Sequence, residues 1–248
     1  CLNAGLARNT DAKDVLRTKE GFELTVGTNH FGHFYLQHLL LDKMAPNGRI
    51  VVTASGVHDP ESPGGAQGEK ATLGHLEGLE AANPLFDMVD GGSFNADKAY
   101  KDSKLCNVLY TRELHRRLQQ QSSTNKIWTA CFNPGLIVST GLFRDQNPVF
   151  TKIFDVAATN LLKVGERVSW GGGCLAYLAL MNNDNDGSMG GGQYYSSPPG
   201  TGNTNNLDDS YYGTKFVPTP VSKEAQDDAK AKRLWELTEK LLNVKTKI

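Results

Sequence analysis

A long stretch without Pro or Gly, placed between two short apolar stretches, constrains the fold of this chain more than any other feature. The long stretch covers residues 95–121 and carries apolar residues at helical spacing, which predicts a helix. Residues 49–55 before it and residues 128–132 after it are rich in β-branched and aromatic residues, which predicts two buried strands. A helix between two buried strands is typical of a parallel sheet. We therefore expect an α/β fold.

Tyr100 and Lys104 share one face of the predicted helix because they lie four residues apart. A Tyr hydroxyl titrates near pH ~10 in water, and a fixed ammonium beside it stabilises the phenolate. Such a pair can give and regain a proton near neutral pH, as a general acid must. Pairs at this spacing are usually surface residues, so a catalytic role depends on the rest of the chain.

Three further segments supply chemistry in a consistent order along the chain. Ser55 ends the first predicted strand, where α/β sheets place ligands, and its hydroxyl can bind a substrate oxygen. Asn29 lies inside an apolar helical stretch, residues 22–44, although its side chain competes for backbone hydrogen bonds. The second strand runs into a turn at residues 133–140 that can press backbone amides against a flat ring.

The order and spacing of these motifs resemble the short-chain dehydrogenase/reductase family. The motifs are Asn3-Ala4-Gly5, Asn29, Ser55, Tyr100 with Lys104, and Pro134-Gly135. Longer strings look like the light-dependent protochlorophyllide oxidoreductases within that family. The strings cover residues 21–34, 99–107, 140–144 and parts of the last predicted helix, residues 222–241.

The resemblance implies one domain over residues 1–248 with a Rossmann-like doubly wound parallel sheet and inserted loops near residues 56–94 and 182–217. The chain begins at Cys1 without Met, and no Gly-rich phosphate loop stands between a strand and a helix. We therefore expect a fragment in which the first part of the nucleotide-binding half is missing. The implied cofactor is NADPH, and the implied cofactor-binding residues are Asn3, Ala4, Gly5, Tyr100, Lys104, Pro134, Gly135, Ile137 and Ser139.

The same resemblance assigns catalytic roles to Tyr100, Lys104, Ser55 and Asn29. Tyr100 would supply a proton, Lys104 would lower the pKa of that Tyr and hold the nicotinamide ribose, and Asn29 would fix a water relay behind Lys104. The implied substrate is the tetrapyrrole protochlorophyllide. The residues that we expect to bind it are Phe94, Asn133, Leu136, Leu142 and Phe143.

Two positions depart from the pattern of the resembling enzymes. Those enzymes carry a Tyr just before the Pro-Gly turn and a Cys just after it, where this chain has Asn133 and Leu136. Leu136 has no hydrogen-bonding group, whereas a thiol can donate a hydrogen bond. Cys106 does not replace that thiol, since it points about 120° away from Tyr100 on the helix, and we expect it to pack in the core.

Three functions remain open from the sequence. The first is light-driven, NADPH-dependent reduction of protochlorophyllide to chlorophyllide in chlorophyll biosynthesis. The second is light-independent reduction of a carbonyl or retinoid-like substrate, which Asn133 and Leu136 favour. The third is a non-catalytic relative that acts as a binding protein, and the intact set of catalytic residues argues against it.

Composition and charge exclude several other classes. A net charge of −1 with a pI near 6.7 gives no electrostatic case for nucleic acid. The four Cys lack the Cys-x-x-Cys spacing of a zinc site or redox centre. His30, His33 and His38 lie on one predicted helix without an acidic or Cys partner at ligand spacing, so we expect no metal.

The expected location follows from the resemblance alone. It implies a chloroplast protein, and it leaves open an association with thylakoids and a homo-oligomeric state. An apolar run between residues 143 and 162 suits a cover for a large flat substrate, contact with a membrane surface, or ordinary core packing. The sequence has no run of 18 apolar residues, so we expect no membrane span.

Overall fold

A computed structural model describes residues 1–81, 83–120, 127–146, 158, 162–181, 191–204 and 207–248. Most of the apolar run expected after Thr140 lies outside these residues. So does the first part of the loop expected at residues 182–217.

A four-stranded sheet lies at the centre of the described structure. Its strands, in spatial order, are β1 (Arg49–Thr53), β2 (Trp128–Phe132), β3 (Gln193–Ser196) and β4 (Val217–Pro218). The first three strands are parallel, and β4 is antiparallel to β3. Leu2 extends the sheet beyond β1 through a parallel bridge to Val52. Both strands predicted from the sequence are confirmed.

Among the described residues, seven α-helices connect and cover the strands. They are α1 (Leu24–Val26), α2 (Gly32–Leu40), α3 (Glu77–Glu80), α4 (Ala96–Gln120), α5 (Val168–Leu180), α6 (Asp209–Lys215) and α7 (Asp228–Leu242). A π-helical turn, Gly27–Phe31, joins α1 to α2, so the predicted helix over residues 22–44 is interrupted in its first half. No helix in the described part of the chain has the length and apolar character that crossing a membrane requires.

Helices cover both faces of the sheet. On β1, Ile50 and Val52 point into a core that includes Leu105 of α4, whereas Val51 points into a second core that includes Trp170 of α5. Successive strand residues face opposite sides, so a strand buried on both sides needs an apolar residue at every position. The fold is therefore α/β and Rossmann-like, as expected.

The long segment between β1 and α4 is packed against the helix that follows it. Lys98 of α4 donates a hydrogen bond to the Thr72 carbonyl at 2.7 Å, and Lys101 donates one to the Glu69 carbonyl at 2.8 Å. Several apolar residues of the segment also belong to the main core, namely Ala71, Leu73, Leu76, Leu79, Phe86 and Val89. The expected inserted loop is therefore fixed to α4 next to Tyr100.

The region expected to form loops near the end of the chain contains regular structure as well. It forms β3, α6 and β4. Tyr212 and Phe216 are buried in the second core, where Trp170 stacks on Tyr212 with ring centres 4.8 Å apart. Tertiary packing therefore overrides the turn-rich composition of this region.

The last helix, α7, completes the main core. The Trp235 side chain is 1% exposed, and its ring stacks on Tyr110 of α4 with centres 5.7 Å apart. The ring also meets Phe34 of α2 edge-on with centres 4.6 Å apart. Cys106, the residue expected to pack in the helix, is buried in the same core as a free thiol.

Replacing Trp235 by Ala should therefore lower the free energy of unfolding by about 3–5 kcal/mol, the usual cost of removing a large core aromatic. Urea unfolding followed by circular dichroism measures the change. Lys232→Ala on the same helix is the control, because Lys232 is exposed and its ion pair with Glu236 spans 4.0 Å. We expect the control to change the free energy by less than about 0.5 kcal/mol. Equal losses in both variants would contradict the packing role of Trp235.

Candidate active site

A cavity of about 450 Å³ opens beside the carboxyl ends of β1 and β2. This is the edge of a parallel sheet at which α/β proteins place ligands. The predicted residues in its wall are Asn3, Ala4, Gly5, Ser55, Tyr100, Lys104, Pro134, Gly135, Ile137 and Leu142. Residues that are far apart in the sequence therefore meet around one space.

Tyr100 and Ser55 meet at this cavity. Both residues line the cavity, and the Ser55 side chain lowers the pKa of the Tyr100 hydroxyl by offering it a hydrogen bond. Burial acts in the opposite direction and is the larger effect, so the pKa of Tyr100 rises to about 12. Burial therefore outweighs any lowering of this pKa, and the expected effect of Lys104 on the Tyr100 hydroxyl stays a prediction. At neutral pH Tyr100 carries its proton.

Lys104 is almost completely buried at the back of the cavity. Its ammonium lies 5.5 Å from the centre of the Tyr100 ring and donates a hydrogen bond to the Thr53 carbonyl at 3.2 Å. Burial lowers the pKa of Lys104 to about 8, because a charged ammonium loses hydration there. At pH 7 most Lys104 side chains are still charged, so a positive charge lies beside the Tyr ring.

Asn29 lies in the π-helical turn and is fully buried. Its amide accepts a hydrogen bond from the Leu6 backbone N–H at 2.9 Å and donates one to the Leu6 carbonyl at 2.9 Å. It donates a second bond to the Ser103 hydroxyl of α4 at 3.0 Å. Asn29 therefore ties the segment after Gly5 to α4, and its water relay stays a prediction.

Two glycines in the cavity wall are required by close contacts. A Cβ on Gly5 would lie 3.1 Å from Asn29 Oδ1 and 3.8 Å from Lys104 Nζ. Gly135 has a φ of +82°, and a Cβ there would lie 2.4 Å from Cγ of Glu166. A side chain at either position would push the backbone away from the cavity or strain it.

Asn133 and Leu136, which we expected to bind substrate, lie next to the cavity without belonging to its wall. The Asn133 amide accepts a hydrogen bond from the Gly135 N–H at 3.1 Å and donates one to the Ser196 hydroxyl at 3.2 Å. The Leu136 carbonyl accepts a hydrogen bond from the Glu166 N–H at 2.7 Å. In this arrangement the two residues stabilise the turn that follows β2.

Two other predicted residues, Phe94 and Ser139, also lie outside the wall. Phe94 packs under the guanidinium of Arg8, with 5.7 Å between the charged carbon and the ring centre. Ser139 is exposed. Phe143 ends a short 3-10 helix, Gly141–Phe143, and its side chain is not among the described parts of the structure.

The wall also includes residues that the sequence analysis missed. They are Thr53, Ala54, Phe132, Thr140, Gly141, Arg144, Val168, Gly171, Gly172 and Leu175. Gly171 packs closely, since a Cβ there would lie 2.4 Å from Cδ1 of Ile137, whereas a Cβ on Gly172 would meet nothing within 4 Å. Consecutive glycines inside an apolar helix usually have a packing or functional reason, and this signal could have indicated the wall.

A second groove and the histidines of the chain were the other candidates for a site. A larger groove of about 830 Å³ runs along the end of α4 near Arg112 and His115, but none of the predicted site residues lines it. Among the described residues, no group of His, Cys, Asp and Glu is arranged to hold a metal ion. His30 instead contacts Thr238, and His38 contacts Thr246.

Sequence comparison with known proteins finds relatives that share one name. A chloroplastic protochlorophyllide reductase of Pisum sativum is 36% identical over 243 residues, which cover 94% of this chain and 55% of that protein. The enzyme of the same name from Chlamydomonas reinhardtii is 36% identical over 238 residues, with the same coverage. Protochlorophyllide reductase B of Hordeum vulgare is 33% identical over 249 residues, covering 98% of this chain and 58% of that protein. The chain thus spans little more than half the length of these relatives.

Structural comparison agrees with the α/β fold. A crystal structure of an uncharacterized protein from Mycobacterium Paratuberculosis matches with a TM-score of 0.60 and 25% identity, covering 100% of this chain and 67% of that one. No family model matches the chain. The sequence relatives, together with the convergence of the Tyr, Lys, Ser and Asn motifs, identify the chain as a member of the short-chain dehydrogenase/reductase family that is related to the protochlorophyllide reductases.

Proposed function

We propose that the protein reduces protochlorophyllide to chlorophyllide with NADPH in a reaction driven by light absorbed by the bound pigment. The observation that carries the proposal is the meeting of the Tyr100 hydroxyl, the Ser55 hydroxyl and the Lys104 ammonium around one cavity. The relatives named protochlorophyllide reductase supply the substrate, and their description as chloroplastic supplies a plastid location.

The cavity fits the nicotinamide end of NADPH by the chemistry of its donors. An ammonium has three N–H donors, and within the described structure Lys104 gives one hydrogen bond to the Thr53 carbonyl. The remaining donors can bind ribose hydroxyls. Pro134, Gly135 and Ile137 line the cavity with largely apolar groups that the ring can contact. When bound, NADPH supplies the hydride, and the residues of the chain hold the reactants and deliver the proton.

Tyr100 is the proton donor in this proposal. Its pKa of about 12 keeps the hydroxyl protonated at neutral pH, so the proton is present when it is needed. Loss of that proton leaves a phenolate, which the Ser55 hydroxyl and the nearby ammonium of Lys104 stabilise. In this proposal Lys104 still assists Tyr100. It stabilises the phenolate that proton transfer leaves more than it changes the pKa of the protonated Tyr100 hydroxyl.

A second candidate function is light-independent reduction of a carbonyl compound. Ser55 and Tyr100 line the same cavity, which would let both hydroxyls bind one carbonyl oxygen. Asn133 is held by Gly135 and Ser196, and Leu136 offers no thiol, so this turn lacks the groups that the resembling pigment enzymes place there. These two residues are the observation that favours the second function.

A light-flash experiment separates the two functions. The full-length protein is mixed with NADPH and protochlorophyllide, and the absorbance is recorded before and after a flash. A red shift that requires both NADPH and light is the expected result. Omission of NADPH and a sample kept in the dark are the controls. Reduction of carbonyl compounds in the dark, with no photoproduct, would instead support the second function.

Replacing Tyr100 by Phe should slow product formation by a factor of about 100 or more, because the general acid is lost. Binding of NADPH should change little. Tyr110→Phe is a matched control, since it removes a buried hydroxyl of the same helix that contacts Gln37 at 3.3 Å, away from the cavity. Turnover rates and nucleotide fluorescence titrations measure both effects. Unchanged turnover in Tyr100→Phe would remove this residue from the mechanism.

The double substitution Asn133→Tyr with Leu136→Cys should raise pigment affinity or the yield of photoreduction, because it restores the pair found in the resembling enzymes. In a dark carbonyl reductase the same change should impair turnover, since it disrupts the bonds from Asn133 to Gly135 and Ser196. Pigment titration and flash yield are the measurements, with circular dichroism as the check on folding. Lower affinity and lower yield in a folded variant would count against the pigment as substrate.

A further inference from the structure

His58 ends the 3-10 turn, Gly56–His58, that begins directly after Ser55. Its side chain is 1% exposed, so a titratable ring is buried three residues beyond a residue of the candidate active site. The ring meets Tyr194 of β3 edge-on, with ring centres 4.8 Å apart. A buried imidazole needs hydrogen-bond partners for its two nitrogens, and the identity of those partners indicates what the residue does.

Backbone groups from two different segments bind the ring nitrogens of His58. Nδ1 lies 2.7 Å from the carbonyl oxygen of Ser55, and Nε2 lies 3.4 Å from the backbone nitrogen of Ser222. A carbonyl oxygen can only accept a hydrogen bond, and a backbone N–H can only donate one. Nδ1 must therefore carry the proton and donate, whereas Nε2 must accept. The ring is thus neutral, with its proton on Nδ1.

The surroundings of His58 favour this neutral form as well. Burial lowers the pKa of His58, because an imidazolium would lose its hydration there. A second proton on Nε2 would also face the Ser222 N–H, so that two donors would meet. His58 therefore keeps one tautomer, and this tautomer connects Ser55 to a segment that precedes α7.

The bonds around Ser55 hold its backbone and leave its hydroxyl able to donate. The Ser55 carbonyl accepts from the His58 ring and also from the His58 backbone N–H at 3.3 Å. The Ser55 hydroxyl accepts a hydrogen bond from the Val57 N–H at 3.4 Å. That bond uses an acceptor position of the hydroxyl, which can still donate its proton to a substrate oxygen. The His58 ring therefore fixes the backbone of a residue that lines the cavity.

We propose that His58 is a positioning residue, which donates from Nδ1 to the Ser55 carbonyl and so sets the direction of the Ser55 hydroxyl. The proposal rests on the proposed reductase function, in which that hydroxyl acts beside Tyr100. Ser222 is 4% exposed, so the partner of Nε2 is itself held in the interior. The same ring therefore joins the cavity to the part of the chain that leads into α7.

Nitrogen NMR of the labelled full-length protein tests the direction of the two bonds without any substrate. We expect the Nδ1-protonated tautomer of His58 at neutral pH, with Nε2 unprotonated. The His58 signals are identified by their loss in His58→Gln. Protonation of Nε2, or a mixture of both tautomers, would overturn the proposal. Because this result does not depend on turnover, it separates a wrong assignment of the ring from a failure of the reductase function.

Two substitutions of His58 test its effect on turnover. The amide nitrogen of Asn can take the place of Nδ1, whereas the amide of Gln reaches the place of Nε2. His58→Asn should therefore keep the turnover number within about threefold of the unchanged protein, and His58→Gln should lower it about tenfold with little change in the KM for NADPH. Both variants lose the packing of the ring against Tyr194, and circular dichroism checks that each is folded.

Ser55→Ala provides the matched background for this comparison. If His58 acts through the Ser55 hydroxyl, His58→Gln should cause no further loss of turnover in the Ser55→Ala protein, because no hydroxyl remains to be directed. Equal losses in His58→Asn and His58→Gln would show that His58 serves packing alone. The same conclusion would follow if His58→Gln caused its full tenfold loss in the Ser55→Ala background.

Discussion

The buried ammonium of Lys104 is the interaction on which the geometry of the site depends. Taking an ammonium out of water is costly, and its lowered pKa of about 8 records that cost. The compensation within the described structure comes from the Thr53 carbonyl and from the face of the Tyr100 ring. Thr53 is the last residue of β1, and Tyr100 lies on α4. This helix connects β1 to β2 along the chain, and the two strands pair in parallel. The charge can stay buried only because the strand and the helix are fixed in this position.

Sequence patterns predicted the elements whose residues repeat with a clear period. The boundaries of α4, β1 and β2 agree closely with the predicted ones. A run of residues with an unbroken apolar pattern shows its secondary structure without knowledge of the tertiary contacts. Tyr100 and Lys104 could be paired for the same reason. The shift in the Tyr100 pKa could not be predicted, because desolvation depends on how deeply the folded chain buries the hydroxyl. The helix α6 was missed because its Asn- and Gly-rich surroundings read as turns.

The inserted segment after β1 shares its ion pairs with the helix that carries the proton donor. Lys98 of α4 pairs with Asp102 at 2.5 Å and with Asp90 of the segment at 2.8 Å. Asp102 is buried, and this burial raises its pKa to about 7 despite the neighbouring Lys98. A segment anchored by charges on the catalytic helix cannot shift without disturbing that helix. The position of the inserted residues and the position of Tyr100 are therefore coupled.

The π-helical turn between α1 and α2 limits how this chain can change during evolution. A π turn holds one residue more than the α-helical turn it replaces, and such insertions often occur at functional sites. Deleting any residue from Gly27–Phe31 would restore a regular helix and rotate α2 by about 100° relative to α1. Phe34 and Gln37 would then turn out of the core, and Asn29 would lose its place beside Leu6. The length of this turn is therefore fixed by the residues that it places in the core and beside Leu6.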